Sequence, residues 1–254
     1  MAKILKKWLL RSLEIVFFGG RTGIDNADEA LRYLPISDFI LEGDVKEPKI
    51  LEVGSGLKGI TPYIPFKITG VDVSFNGNIA ENLTPVCLSG TNLPFSDKSF
   101  DYVISVDMLE HVPENERQNV ITELLRVANK QVYLAVPCGR LSEIHDKALD
   151  DLFQKVRGER DHFLQEHVEN GLPSKEDLIT YIKAASGRLG VSVTLRVIDN
   201  VSLKVRFFFM RLLITAKPPK LFIWISPLIC IFRRTLNFGE CYRQIFVVDI
   251  APGK

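Results

Sequence analysis

The segment Ile50-Leu51-Glu52-Val53-Gly54-Ser55-Gly56-Leu57-Lys58-Gly59 constrains the fold more than any other part of the chain. It reads as a short buried strand that turns through glycines into a helix. Gly54, Gly56 and Gly59 stand in G-x-G-x-x-G spacing. Without a Cβ, glycine lets the backbone turn tightly and approach a ligand closely. Nicotinamide, flavin and S-adenosylmethionine sites share this spacing, so it points to a topology before it points to a ligand. Two neighbours narrow the choice. Glu52 sits inside the strand, where a dinucleotide-binding turn more often carries an apolar residue. A second strand, over 67–73, ends near Asp72, an acid suited to holding two ribose hydroxyls.

Strands and helices then alternate. The pattern predicts strands over 49–53, 67–73, 86–88, 100–106 and 131–136. Between the last two, a helix starting near Glu114 carries Val120, Ile121, Leu124, Leu125 and Val127 on its apolar side. Such alternation argues a doubly wound, mostly parallel α/β sheet. Ligands of these sheets bind beyond the carboxyl ends of the strands. Residues 54–56, Asp72, Asn92, Leu93 and 107–111 all fall at that edge. Residues 138–171 are polar and charged. Ser174, with Asp177 three residues later, predicts a helix start, and that helix ends near Gly187. Further strands are expected over 191–197 and 245–250, joined by an unusually long connection, 199–243.

Two more segments are specific. Residues 93–101 read L-P-F-x-D-x-S-F-D, and residues 109–112 read L-E-H-V, just after the strand over 100–106 and Asp107. In this order the motifs resemble those of the class I S-adenosylmethionine-dependent methyltransferases, over about 49–137. The resemblance implies a Rossmann-like, seven-stranded doubly wound sheet with its last strand antiparallel. It implies S-adenosylmethionine as cofactor, with Glu52, Gly54, Ser55, Gly56, Gly59, Asp72, Val73, Asn92, Leu93, Asp107 and Glu110 around it. Gly54 and Gly56 would admit the methionine moiety, and Asp72 would accept from the ribose. Glu52 would either orient the loop or approach the methionine end, or else partner nearby backbone N–H groups. Many relatives carry an acid before L-P-F to accept from adenine. Here Ser89-Gly90-Thr91 stands there instead, which leaves Asn92, Leu93 or main-chain groups for that contact. His111 is the candidate general base, with a structural role in the L-E-H-V turn as the alternative. Tyr63, His145, His162 and His167 are further candidates without a motif. His162 and His167 are five apart, which suits no helical metal pair, so no metal is expected.

Composition excludes several classes. The formal net charge of +1 gives no global reason to expect a nucleic-acid partner. Cys87, Cys138, Cys230 and Cys241 are scattered and form no C-x-x-C, which suits reduced thiols in a cytoplasmic protein. Residues 2–18 read as an amphipathic helix, with Leu5, Leu9, Leu13 and Val16 on one face. Arg11 and Glu14 interrupt its apolar run, so a secretory signal is not expected. A second helix is expected over 26–42. The chain therefore divides into a helical extension, 1–46, and a domain, 47–254, with an apolar, basic insertion over 199–243. That insertion holds 207–210 (Phe-Phe-Phe-Met) and 221–225 (Leu-Phe-Ile-Trp-Ile). Lys204, Arg206, Arg211, Lys217, Lys220, Arg233, Arg234 and Arg243 are interspersed. Aromatic and basic residues together suit a peripheral membrane element, and a lid over the site is the alternative. The expected acceptor is a small or lipid-linked molecule. A non-catalytic cofactor-binding module is the rival from another class.

Overall fold

The computed structural model describes residues 27–215 and 233–251. The amphipathic segment 2–18 and the apolar run 221–225 lie outside the described residues. Helix α1 (Ala27–Glu42) precedes strand β1 (Ile50–Val53), β2 (Ile68–Asp72), β3 (Leu83–Cys87) and β4 (Phe100–Val106). A 3-10 turn (Leu109–His111) leads to α2 (Glu114–Val127) and β5 (Ala128–Pro137). Then come α3 (Gly139–Arg157), α4 (His162–Asn170), α5 (Lys175–Leu189), β6 (Val193–Ser202), α6 (Leu203–Thr215) and β7 (Cys241–Ile250).

The seven strands form one sheet in the order β3-β2-β1-β4-β5-β7-β6. β1 pairs in parallel with β2 and β4, and β7 runs antiparallel to both β5 and β6. All four residues of β1 are buried, as befits a central parallel strand covered on both faces. Alternate residues feed two cores. Leu51, Val53, Val103 and Leu134 pack with Val120 and Leu124 of α2 and with Leu178 and Ile182 of α5. Ile50, Ile104, Tyr133 and Ile245 pack with Ala30, Leu34 and Ile40 of α1. The six strands other than β7 are thereby fixed so that their carboxyl ends share one edge.

Local signals explain several boundaries. Ser174 and Asp177 form a reciprocal capping box at the start of α5, a device worth about 1 kcal/mol. Helix α3 ends on Gly158, whose φ of 82° closes the last turn through an N–H donated to the Gln154 carbonyl. Asp161 caps α4 by accepting from the Leu164 N–H. The polar stretch after Pro137 is thus two helices, α3 and α4. With α6 they share a small apolar cluster, Leu149, Leu164 and Ile214, above the carboxyl edge of the sheet. The ends of 199–243 are strand: β6 runs to Ser202 and β7 starts at Cys241.

Candidate functional site

The turn after β1 is built on three glycines with positive φ: 81° at Gly54, 54° at Gly56 and 53° at Gly59. A Cβ on Gly54 would lie 2.4 Å from Cγ of Met108. On Gly56 a Cβ would meet nothing within 4 Å, so this glycine opens onto free space. The Gly54 N–H donates to the Val71 carbonyl at 2.8 Å, and the Gly56 N–H donates to Oδ2 of Asp72 at 2.8 Å. Asp72 is half-buried at the end of β2, and Val73 beside it is 72% exposed. Ser55 is buried, with Oγ donating to the Gly56 carbonyl.

Gly59 serves a different neighbour. A Cβ there would stand 2.2 Å from Oε2 of Glu52. The Glu52 carboxyl is fully buried beneath the turn and accepts from the Ile60 N–H at 2.7 Å. Burial pushes its pKa up to about 8, against the Ile60 N–H and the Tyr33 hydroxyl, which favour the charged form. Leu93 is buried too. Its N–H donates to Glu123 and its carbonyl accepts from Arg126, so both main-chain groups are taken. Asn92 is exposed at the mouth of this region, and Ser89 and Thr91 pair hydroxyl to hydroxyl at 3.1 Å.

Beyond β4, Asp107 adopts φ 46° and donates its N–H to the Ala135 carbonyl. Its carboxylate accepts from Nε and Nη2 of Arg243, the third residue of β7, and lies 3.3 Å from Nε of Arg32. Burial alone would raise its pKa, but these two guanidiniums hold it below the ordinary range. Glu110 is fully buried, and burial, with Asp107 nearby, raises its pKa well above the usual value. His111 Nδ1 meets Oε2 of Glu166 at 2.6 Å. Burial and the neighbouring His167 lower the His111 pKa, against the pull of Glu166. His167 Nδ1 meets Oδ2 of Asp146 at 2.9 Å. That carboxylate also accepts from the Tyr242 hydroxyl and pairs with Arg206 Nη1 at 2.8 Å.

Most of these groups, though not Glu166 or Asp146, line a cavity of about 380 Å³. Asp107, Glu110, His111 and His167 contribute polar wall, with Arg32, Arg206 and Arg243. Phe163 and Leu164 of α4 and Met210, Leu213 and Ile214 of α6 contribute apolar wall. The resemblance of the L-E-H-V segment pointed to Asp107, Glu110 and His111. It gave no signal for Asp146, Glu166 or Tyr242, and His167 was only an isolated candidate. Tyr63 lies away from the cavity, buried against Tyr33, while His145 packs on Phe207 and His162 is exposed. Another groove of about 350 Å³, lined by Phe39, Tyr102 and Tyr133, lies at the opposite end of the strands.

The basic residues of 199–243 need one correction. Arg206, Arg233 and Arg243 are buried and paired with Asp146, Asp38 and Asp107. Their charge is spent inside the protein, so they are not part of a basic surface.

Residues 51–136 match the family model described as a methyltransferase domain. The structure of an S-adenosylmethionine-dependent methyltransferase from Thermotoga maritima aligns with a TM-score of 0.53. The match covers 93% of this chain and 98% of that one, at 17% identity. The fold is that of the Rossmann-like methyltransferases. A chain from the Haloferax volcanii complex between the Trm112 methyltransferase activator and the protein assigned there as a methyltransferase aligns with a TM-score of 0.51. It does so at 16% identity, over 94% of this chain and 96% of that one. The methyltransferase-domain match ends one residue before the end of β5. The helices that roof the cavity, α3, α4 and α6, all follow it.

Proposed function

We propose that the protein is an S-adenosylmethionine-dependent methyltransferase whose acceptor enters the cavity roofed by α3, α4 and α6. One observation carries this reading. The open turn at 54–56, tied to Asp72, touches Met108, and the adjoining Asp107, Glu110 and His111 line the cavity. Donor site and acceptor site would then share a wall at the carboxyl edge of the sheet.

The residues present fit the cofactor. The free space at Gly56 admits a ligand to the backbone, and Asp72 offers a partly open carboxylate for ribose hydroxyls. The exposed Val73 offers an apolar face for a flat ring, with Asn92 at the rim. Gly54 and Ser55 complete the turn, while Glu52 and Gly59 support it from below. When bound, the cofactor supplies an activated methyl group on a sulfonium. The chain has to align the acceptor with that methyl, exclude water and take up a proton. The Glu166 carboxylate can only accept, so His111 Nδ1 carries the proton between them. Nε2 of the neutral ring is then the lone pair available to an acceptor hydroxyl or amine.

The mixed lining supports a small acceptor with an apolar part, such as a lipid-linked one. Met210, Leu213 and Ile214 bring 199–243 into the cavity wall, which supports a lid. Phe208 and Phe163 are 63% and 64% exposed, which supports added contact with a bilayer surface. Among the described residues no helix is long and apolar enough to cross a membrane. The test is transfer of labelled methyl from the cofactor into a membrane or lysate extract, followed by identification of the product. Binding of S-adenosylhomocysteine without any transfer would leave a binding module. Parent protein that stays in the supernatant with anionic vesicles at low salt would remove the bilayer contact and leave the lid.

A further inference from the structure

Glu110 ends in a pocket that its neighbours do not satisfy. The residue is 0% exposed, and neither carboxylate oxygen has a hydrogen-bond partner from another residue. Leaving a buried carboxylate in that state is costly. Two imidazoles face it from different elements, His111 beside it in the 3-10 turn and His167 on α4. The ring centroids of these histidines lie 4.9 Å apart. His167 Nε2 stands 3.9 Å from Oε1 of Glu110, and one ligand atom from each of the three residues lies within 4.8 Å of the others. Both rings are held through Nδ1 by an outer carboxylate, Glu166 for His111 and Asp146 for His167. Outer carboxylates of this kind fix the ring and make Nε2 a better ligand.

We propose that Glu110, His111 and His167 form a divalent-cation site with an open position toward the cavity. Bonds of about 2.0–2.2 Å would set neighbouring ligand atoms roughly 3–3.5 Å apart, so the triad contracts slightly on loading. Two imidazoles and one carboxylate suit Zn²⁺, Co²⁺ or Fe²⁺ and not Mg²⁺ or Ca²⁺. All three residues line the cavity, so a further position falls to an acceptor oxygen or water. That last point alone depends on the methyltransferase reading. There the cation would take the Nε2 lone pair of His111 and polarise the acceptor hydroxyl in its place.

The test uses untagged, chelator-stripped protein titrated with Co²⁺ and then Zn²⁺, with S-adenosylhomocysteine binding measured in parallel. One equivalent of Co²⁺ should bind with visible d–d bands that Zn²⁺ abolishes. His111→Ala and Glu110→Gln should each weaken this by at least about tenfold. Glu166→Gln changes a partly exposed side chain that touches no ion, and it should weaken binding about ten- to hundredfold with an unchanged melting curve. Folded parent protein that takes up neither cation in large excess overturns the proposal, whether or not it binds S-adenosylhomocysteine. So does Co²⁺ binding that survives unchanged in His111→Ala and Glu110→Gln. Cation binding without S-adenosylhomocysteine binding would keep the metal site and sink the methyltransferase reading.

Discussion

Gly56→Ala and Gly59→Ala should separate two roles within one turn. Both residues have nearly the same positive φ, so alanine at either pays about 1–2 kcal/mol of backbone strain. Their surroundings differ. At Gly56 the new methyl meets no protein atom within 4 Å, so stability loses only the strain. At Gly59 the methyl would sit 2.2 Å from Oε2 of Glu52 and force that buried carboxyl off the Ile60 N–H. Leaving that N–H and carboxyl unsatisfied adds about 1–3 kcal/mol, for a total of about 2–5 kcal/mol. At roughly 2–4 °C per kcal/mol for a chain of this size, Gly59→Ala lowers Tm by about two to three times as much as Gly56→Ala. Binding should rank the other way. The Gly56 methyl enters the space through which a ligand reaches the backbone, so S-adenosylhomocysteine affinity should fall at least about tenfold, or about 1.4 kcal/mol. Thermal melts followed by circular dichroism and titration calorimetry measure the two quantities separately. Equal Tm losses, or a Gly56→Ala protein with parental affinity, would refute the division of roles.

Asp72→Ala should leave the fold intact and weaken S-adenosylhomocysteine binding about ten- to hundredfold, since a hydrogen bond to a charged group contributes about 1.5–3 kcal/mol. An unchanged calorimetric Kd would remove Asp72 from the site. The raised pKa of Glu52, about 8, means the native state holds a proton that the unfolded chain releases above the ordinary carboxyl range near 4.5. Its contribution to stability is therefore complete below about pH 4.5 and is lost as pH rises through 8. Urea unfolding of Glu52→Gln should show a flatter dependence than the parent across that window. Identical slopes would show that the carboxyl is ionised in the native protein.

The central fold was legible because its physics is local. β1 and β4 are near-continuous apolar runs buried on both faces, and Ser174 with Asp177 writes the start of α5 in four residues. Helix α3 was not legible. Its buried stripe is Ser142, Asp146, Leu149 and Asp150, so the inward face is mostly polar and no apolar period appears. β3 lies over Leu83–Cys87 instead of 86–88; as an exposed edge strand with Pro85 at its centre, it carries little apolar pattern. The same reasoning divides the site. Gly54, Gly56 and Asp72 sit beside strand ends that the alternation locates. The cavity wall joins His167, Tyr242 and Arg243, with Asp146 bonded behind the first two, from three distant segments, and no spacing within one segment records that meeting. Arg206 and Arg243 looked like surface charge because their carboxylate partners, Asp146 and Asp107, are 60 and 136 positions away.

The placement of β7 also bears on synthesis. It lies between β5 and β6 in space, yet it is the last in the chain of the sheet's seven strands, and among the described residues β6 pairs with no strand but β7. While the ribosome is still translating 203–240, β5 has a bare edge and β6 has nothing to pair with. Gln131 must then wait for Asp249, its partner in the register. A nascent chain in that state exposes an apolar sheet edge for as long as those residues take to emerge. Loss of the closing strand would therefore remove two strands from the sheet, and with them the Arg243 clamp on Asp107.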